Sequence, residues 1–260
     1  MFDAPIDLKR ARILLSNDDG IHAPGLKMLE RVARALSKDV WVVAPETEQS
    51  GASHSLTLHR PLRIRNVGPK RFAVDGTPTD SVLLAINHIL ADRKPDLVLS
   101  GFNRGGNLGE DISYSGTVAA AMEATILGVP AVALSLIAEN EDSAKWKTAT
   151  AHFPRVIRGL ASVGWPANVF INVNFPDVAA ERVGGIRVTR QGRRKLGDEL
   201  VERKDPRGRS YFWIGMMRME DTGKRGTDLA AVNAGEISVT PVYLTLTPGP
   251  ILQRLKKVFP

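Results

Sequence analysis

Arg12-Ile-Leu-Leu-Ser-Asn-Asp-Asp-Gly20 joins an apolar run directly to a polar tip, Asn17-Asp18-Asp19. An apolar run without alternation predicts a strand covered on both faces, because a strand with one wet face alternates apolar and polar residues. In open α/β sheets, ligands bind just beyond the carboxyl ends of such strands, so the tip is the expected place for a site. Two neighbouring carboxylates repel each other unless something cationic lies beside them. A hard divalent cation is the simplest resolution, and a solvated Asp-Asp-Gly turn is the alternative.

Further apolar runs follow at regular spacing. Val40–Ala44, Pro95–Leu99, Ala131–Leu136 and Val169–Asn174 read as four more buried strands, with a short strand pair at Leu62–Arg65 and Arg71–Val74. Between them, Leu26, Leu29, Val32, Ala33 and Leu36 fall on one helical face behind Pro24. A second helix is expected to be capped by Thr79 or Asp80, with Val82, Leu83, Ile86, Ile89 and Leu90 buried. A third starts near Val118, and a fourth spans 143–163, kinked or split at Pro154. Strands alternating with helices predict an α/β fold, a Rossmann-like, mostly parallel sheet with helices on both faces. Beyond Pro176 the rhythm changes. Ile186–Thr189, Tyr211–Ile214 and Ile237–Thr247 look like strands without intervening helices, read as β-hairpin arms projecting from the core. Exposed arm edges usually need a partner, so an oligomer is expected; a solvated basic hairpin on a monomer is the alternative. The chain reads as a single domain over 1–260, the core ending near 180 and the arms and final strands filling 181–260.

Composition narrows the classes. The 260 residues contain no cysteine, which excludes disulfides, thiolate metal sites and cysteine nucleophiles. The first twelve residues lack an apolar stretch of signal-peptide type, and no run is long enough to span a bilayer. A soluble, cytoplasmic protein is expected. The net charge of +7 favours anionic ligands but is too diffuse for duplex nucleic acid.

In a parallel sheet, three strand-end loops converge on one rim. They bring Asp18 and Asp19, then Ser50 beside Gly51, then Asn103 in a glycine-rich loop. Two carboxylates, a hydroxyl and an amide carbonyl form an all-oxygen set suited to Mg²⁺, Mn²⁺ or Ca²⁺. Two protein charges leave positions for water and substrate, as in a catalytic metal site. Backbone amides around Gly105 can face an anion. A helix opening at Ser115-Gly116-Thr117 offers free amides and a positive dipole end to a phosphate, its plainer reading being a Ser/Thr cap. Phosphate or substrate contacts are thus expected from Asn17, Gly105, Asn107, Ser115, Gly116 and Thr117. His54 is the candidate proton donor to a leaving group; otherwise it is a loop histidine bonding the backbone. Gly105-Gly106-Asn-Leu-Gly109 is not a dinucleotide fingerprint, and no Gly-x-Ser-x-Gly elbow is present.

With these residues assembled, the chain resembles the SurE (survival protein E) family of metal-dependent nucleoside monophosphate phosphatases. The resemblance runs through Ile13–Gly25, Gln49–Thr57, Val74–Asp80, Ser100–Asn107, Tyr114–Ala121, Asn172–Pro176 and Ser238–Pro241, in order across almost the whole chain. It implies a Rossmann-like core and one divalent cation per subunit, Mg²⁺ or Mn²⁺, on Asp18, Asp19, Ser50 and Asn103. It also implies a homodimer or homotetramer built through C-terminal arms, and phosphate release from nucleoside 5′- and often 3′-monophosphates. Departures are modest: an acidic Pro45-Glu-Thr-Glu-Gln before Ser50, Ala124-Thr-Ile after Glu123, and Leu244 at a commonly acidic place. The first bears on substrate preference, since it weakens polyanion binding near the entrance. Two other classes compete, a nucleotide-binding or stress-sensing module without catalysis and a metal-dependent glycosyl or nucleotidyl transferase.

Overall fold

The computed structural model describes residues 5–138, 144–195, 200–214, 219–220 and 224–259. Strands β1 (Arg12–Ser16), β2 (Asp39–Pro45), β3 (Ile64–Gly68), β4 (Arg71–Val74), β5 (Leu97–Arg104), β6 (Ala131–Leu136) and β7 (Val169–Phe175) supply seven of the main sheet's nine strands. β8 (Ile186–Val188) and β13 (Ile237–Tyr243) complete it. Outside it lie β9 (Arg194–Lys195), β10 (Leu200–Lys204), β11 (Ser210–Ile214) and β12 (Met219–Glu220). The nine strands run in the order β3-β4-β2-β1-β5-β6-β7-β13-β8. From β4 to β7 every pairing is parallel; β3 and β13 are antiparallel to their inner neighbours.

This order reverses at β1. Chain progress runs one way through β2 and β4, and the other way through β5, β6 and β7. The crevice between the carboxyl ends of β1 and β5 is therefore the topological switch point, where α/β sheets take ligands. Ser16 pairs with Ser100 in register, which sets the two tips side by side.

Both faces are covered, as the unbroken apolar strands require. Ile13 and Leu15 pack to one face with α1 (Pro24–Arg34) and α4 (Trp146–Val163), around buried Leu26, Leu29, Phe153 and Ile157. Leu14 and Val43 pack to the other with α2 (Pro78–Leu84) and α3 (Gly116–Ile126). Fully burying one such side chain stabilises the fold by roughly 1.5–3 kcal/mol. Ala120, Ala121 and Ala124 are small enough to let α3 approach the sheet closely.

Four expectations shift. Thr77, not Thr79 or Asp80, caps α2: its hydroxyl accepts from the Asp80 amide, and Asp80 returns a bond to the Thr77 amide. That capping box moves the helix start by two residues. α4 continues through Pro154 without a break, because Phe153, Val156 and Ile157 hold it against the core on both sides. Ile186–Val188 and Ile237–Tyr243 are sheet strands rather than projecting arms; Ile237 and Val239 are buried in the same core as β1. The run ends at Tyr243 instead of Thr247; α5 (Asp228–Asn233) interrupts the strands after Pro176, and α6 (Gly249–Leu255) follows the last of them. β10 and β11 do pair as a hairpin, joined through the basic turn between Lys204 and Ser210. No helix among the described residues is long and apolar enough to cross a membrane.

Candidate active site

Asp18 and Asp19 follow β1 after Asn17, at the switch point. Asp18 is buried, and its carboxylate is held from three directions. Thr117 donates its hydroxyl to Oδ1, while the backbone amides of Asp18 and Thr117 also point at the carboxylate. Gly116 lies against its other side: a Cβ there would sit 2.7 Å from Asp18 Cβ and 3.0 Å from Oδ2. The first turn of α3 thus packs on the first carboxylate, and only a glycine permits the approach. Burial pushes the Asp18 carboxyl above the usual aspartate range, with Glu48 adding to the shift and Thr117 opposing it.

Asp19 is less enclosed. Burial first, then the charge of Asp18, pushes its carboxyl up to about 7, against the opposing charge and backbone bond of Arg104. Two adjacent carboxyls both raised in this way form a site that favours a cation.

The loop after β2 is tied to this tip by the Gln49 amide, which donates to the Asp18 carbonyl at 2.8 Å. Ser50 follows, exposed, its hydroxyl donating to Glu48 Oε1 at 2.8 Å. Asn103 near the end of β5 donates its Nδ2 to the Gly105 carbonyl at 2.8 Å, which turns its oxygen the other way. Asn17 is fully buried; its Nδ2 donates to the Gly20 carbonyl, and its Oδ1 is without a partner among the described residues. An unpaired buried oxygen beside two raised carboxyls is what an all-oxygen site for a hard divalent cation leaves when only the polypeptide is considered. The residues fit such a cation. No cluster of three His, Asp or Glu exists among the described residues, so amide and hydroxyl oxygens have to complete it.

The remaining expected contacts divide. Ser115 caps α3, its oxygen accepting from the Val118 amide at 3.1 Å, which leaves its O–H to donate. Thr117 gives its hydroxyl to Asp18 and is wholly buried, so it positions a carboxylate instead of facing phosphate. Asn107 is turned inward: Nδ2 donates to Ser135 Oγ, its amide to Asn174 Oδ1, and its carbonyl accepts from Asn172 and Asn174. It braces the glycine loop. Gly105, with φ of 100°, shapes the bend, but its amide donates to the Leu136 carbonyl at 2.9 Å, so it holds β5 to β6 instead of facing an anion as expected. His54 Nε2 lies 2.9 Å from Glu123 Oε2, a carboxylate two turns into α3. That replaces the expected backbone bond with an orienting partner.

Three residues went unread in the sequence. Glu48 and Arg104 both act on Asp19, and Trp146 lines the same cavity beside it. The acidity of the Pro45–Gln49 loop was the one available signal, for Glu48 alone.

Fold and rim define an α/β protein with two adjacent raised carboxyls at the switch point of its parallel strands. The family model "Survival protein SurE" matches residues 13–198. The chain belongs to the SurE family. It is 62% identical to the 5′-nucleotidase SurE of Paramagnetospirillum magneticum over 258 residues, 99% of each chain. It is 56% identical to the 5′-nucleotidase SurE of Rhodospirillum rubrum over the full length of both. The crystal structure of the SurE protein from Aquifex aeolicus superimposes with a TM-score of 0.83 at 40% identity, covering 95% of this chain and 99% of that one.

Proposed function

We propose that this chain is a phosphomonoesterase that hydrolyses nucleoside 5′-monophosphates, and 3′-monophosphates as well, to nucleoside and phosphate. The observation that carries the reading is the pair Asp18–Asp19, both raised, at the switch point against the first turn of α3. Relatives named 5′-nucleotidase over the whole length support it. Asp18, Asp19, Ser50 and Asn103 would hold one divalent cation per subunit, Mg²⁺ or Mn²⁺. The chemistry such a cation supplies is Lewis acidity toward a phosphate oxygen and a more acidic water.

The chain's own groups do the rest. The backbone amide of Gly116, with the Ser115 hydroxyl, binds the phosphate at the N-terminus of α3, where the helix dipole favours an anion. The same donors stabilise charge that grows on phosphorus-bound oxygens in the transition state. Asp18, fixed by Thr117, and the more open Asp19 keep the attacking water aligned. His54, held by Glu123, hands a proton to the departing nucleoside oxygen. Asn17 and Asn107 support the rim without being required to touch phosphate.

The β10–β11 hairpin exposes Phe212, Trp213 and Ile214, more apolar surface than an isolated hairpin keeps in water. A second copy of this chain covers it, giving a dimer or tetramer. Light scattering would read that mass directly. The cysteine-free composition suits a reducing, cytoplasmic setting.

The test is phosphate release from a panel of 5′- and 3′-nucleoside monophosphates with Mg²⁺, Mn²⁺ or EDTA. Cation-dependent turnover above that of a simple aryl phosphate, abolished by Asp18→Ala, is expected. Turnover that survives Asp18→Ala overturns the mechanism; none with any cation leaves a nucleotide-binding module.

A further inference from the structure

Beside Asp19 the rim opens into a cavity of about 150 Å³ whose lining includes no residue of α3. Asp19, Glu48 and Arg104 form its charged side; Pro24, Gly25 and Trp146 form its apolar side. Pockets that enclose a drug-sized ligand measure roughly 300 Å³ or more, so this one takes a fragment, of the size of a planar ring. Trp146 is the first residue of α4, half-buried, with part of its indole on the α1–α4 core and part facing the cavity. The indole is seated by Gly25. A Cβ there would lie 3.1 Å from Trp146 Cη2 and 2.0 Å from the Phe102 carbonyl oxygen, so backbone and ring meet with nothing between.

Resting on the nucleotidase reading, we infer that this cavity is the nucleoside-side subsite, and that Trp146 supplies the face on which the nucleobase stacks while phosphate lies on the α3 side of Asp19. Every base has a π-face, so a stacking wall admits all of them and favours purines through their larger overlap. Glu48 at the charged edge accepts from ribose hydroxyls or an exocyclic amine. It also makes that edge unfavourable for a second phosphate, which biases the subsite toward monophosphates.

The experiment compares Trp146→Ala and Trp146→Phe with the natural chain on AMP, CMP and ribose 5-phosphate, the last carrying phosphate and sugar without a base. Base–aromatic stacking energies of roughly 1–3 kcal/mol translate to about a 5- to 150-fold effect. Trp146→Ala should therefore raise KM for AMP by about tenfold or more, for CMP by less, and leave ribose 5-phosphate unchanged. Trp146→Phe should retain most of the affinity. Equal losses on AMP and ribose 5-phosphate, or no loss on either, would overturn the assignment. Because Trp146 touches the core, indole fluorescence gives a second readout. AMP should quench emission of the natural chain and quench Trp146→Phe far less; equal quenching in both refutes stacking even where the alanine variant does not fold. Absence of AMP turnover in the natural chain would instead count against the nucleotidase reading, and quenching would still report on the cavity.

Discussion

Thr117 donates its hydroxyl to Oδ1 of Asp18, so the second residue of α3 holds the carboxylate two residues past the first strand. The two are 99 positions apart. Their bond couples the first turn of a helix to the tip of an inner strand of the sheet.

Replacing Thr117 by Val keeps the shape and removes the donor. A hydrogen bond to a charged group contributes about 1.5–3 kcal/mol, and a carboxylate left to rotate loses alignment. kcat/KM for AMP should fall by ~10- to 100-fold with a lower Tm, and Thr117→Ser should recover most of both. Steady-state kinetics beside calorimetry decide it; an active Thr117→Val would show that Asp18 is positioned by packing alone.

Gly116→Ala probes the same contact through volume. The added methyl would meet Asp18 at 2.7 Å and Pro78 Cγ at 3.1 Å, distances at which something has to move. Alanine favours the helix itself by about 1 kcal/mol, so stability should change little while kcat falls by about 10²-fold. Unaltered kcat would place the reacting groups away from Asp18.

The pH dependence of stability carries a definite sign when a chelator is present. Asp19 is held near 7 in the folded chain, far above an ordinary aspartate, and Asp18 is raised too. Between about pH 4 and 7 the folded state therefore binds more protons than the unfolded chain. Its stability is greatest at the acid end of that window and is lost as pH rises through 7. Melting in EDTA should show Tm declining from pH 5 to 8, Asp19→Asn should flatten the decline, and Mg²⁺ or Mn²⁺ should raise Tm most at pH 8. A Tm in EDTA that rises over this range would contradict the burial of the pair.

His54 is tested by the leaving group. p-Nitrophenolate departs without protonation, whereas a nucleoside alkoxide needs a proton. His54→Gln should cut turnover of AMP by ~10²-fold or more and of p-nitrophenyl phosphate only slightly. Equal losses on both would make His54 a structural partner of Glu123.

The apolar runs from Ile13 to Val173 named the strands by themselves, because a strand buried on both faces has no polar alternation to hide it. Asp18 and Asp19 were legible for the same local reason: charge placed immediately after such a run has to be compensated. Tertiary structure decided what local pattern cannot carry. A strand of the main sheet and a free hairpin strand can share one pattern, so Ile237–Tyr243 declared itself only by pairing between β7 and β8. Thr117 and Ser115 are both hydroxyls at one helix end, yet Thr117 turns to Asp18 and Ser115 caps, a choice made by how close α3 lies to β1. Trp146 reached the rim because α4 crosses α1 above Gly25, a meeting of segments 121 positions apart. Side-chain type is written in the chain; which side chains share a cavity depends on packing across long sequence separations, and only the fold determines that.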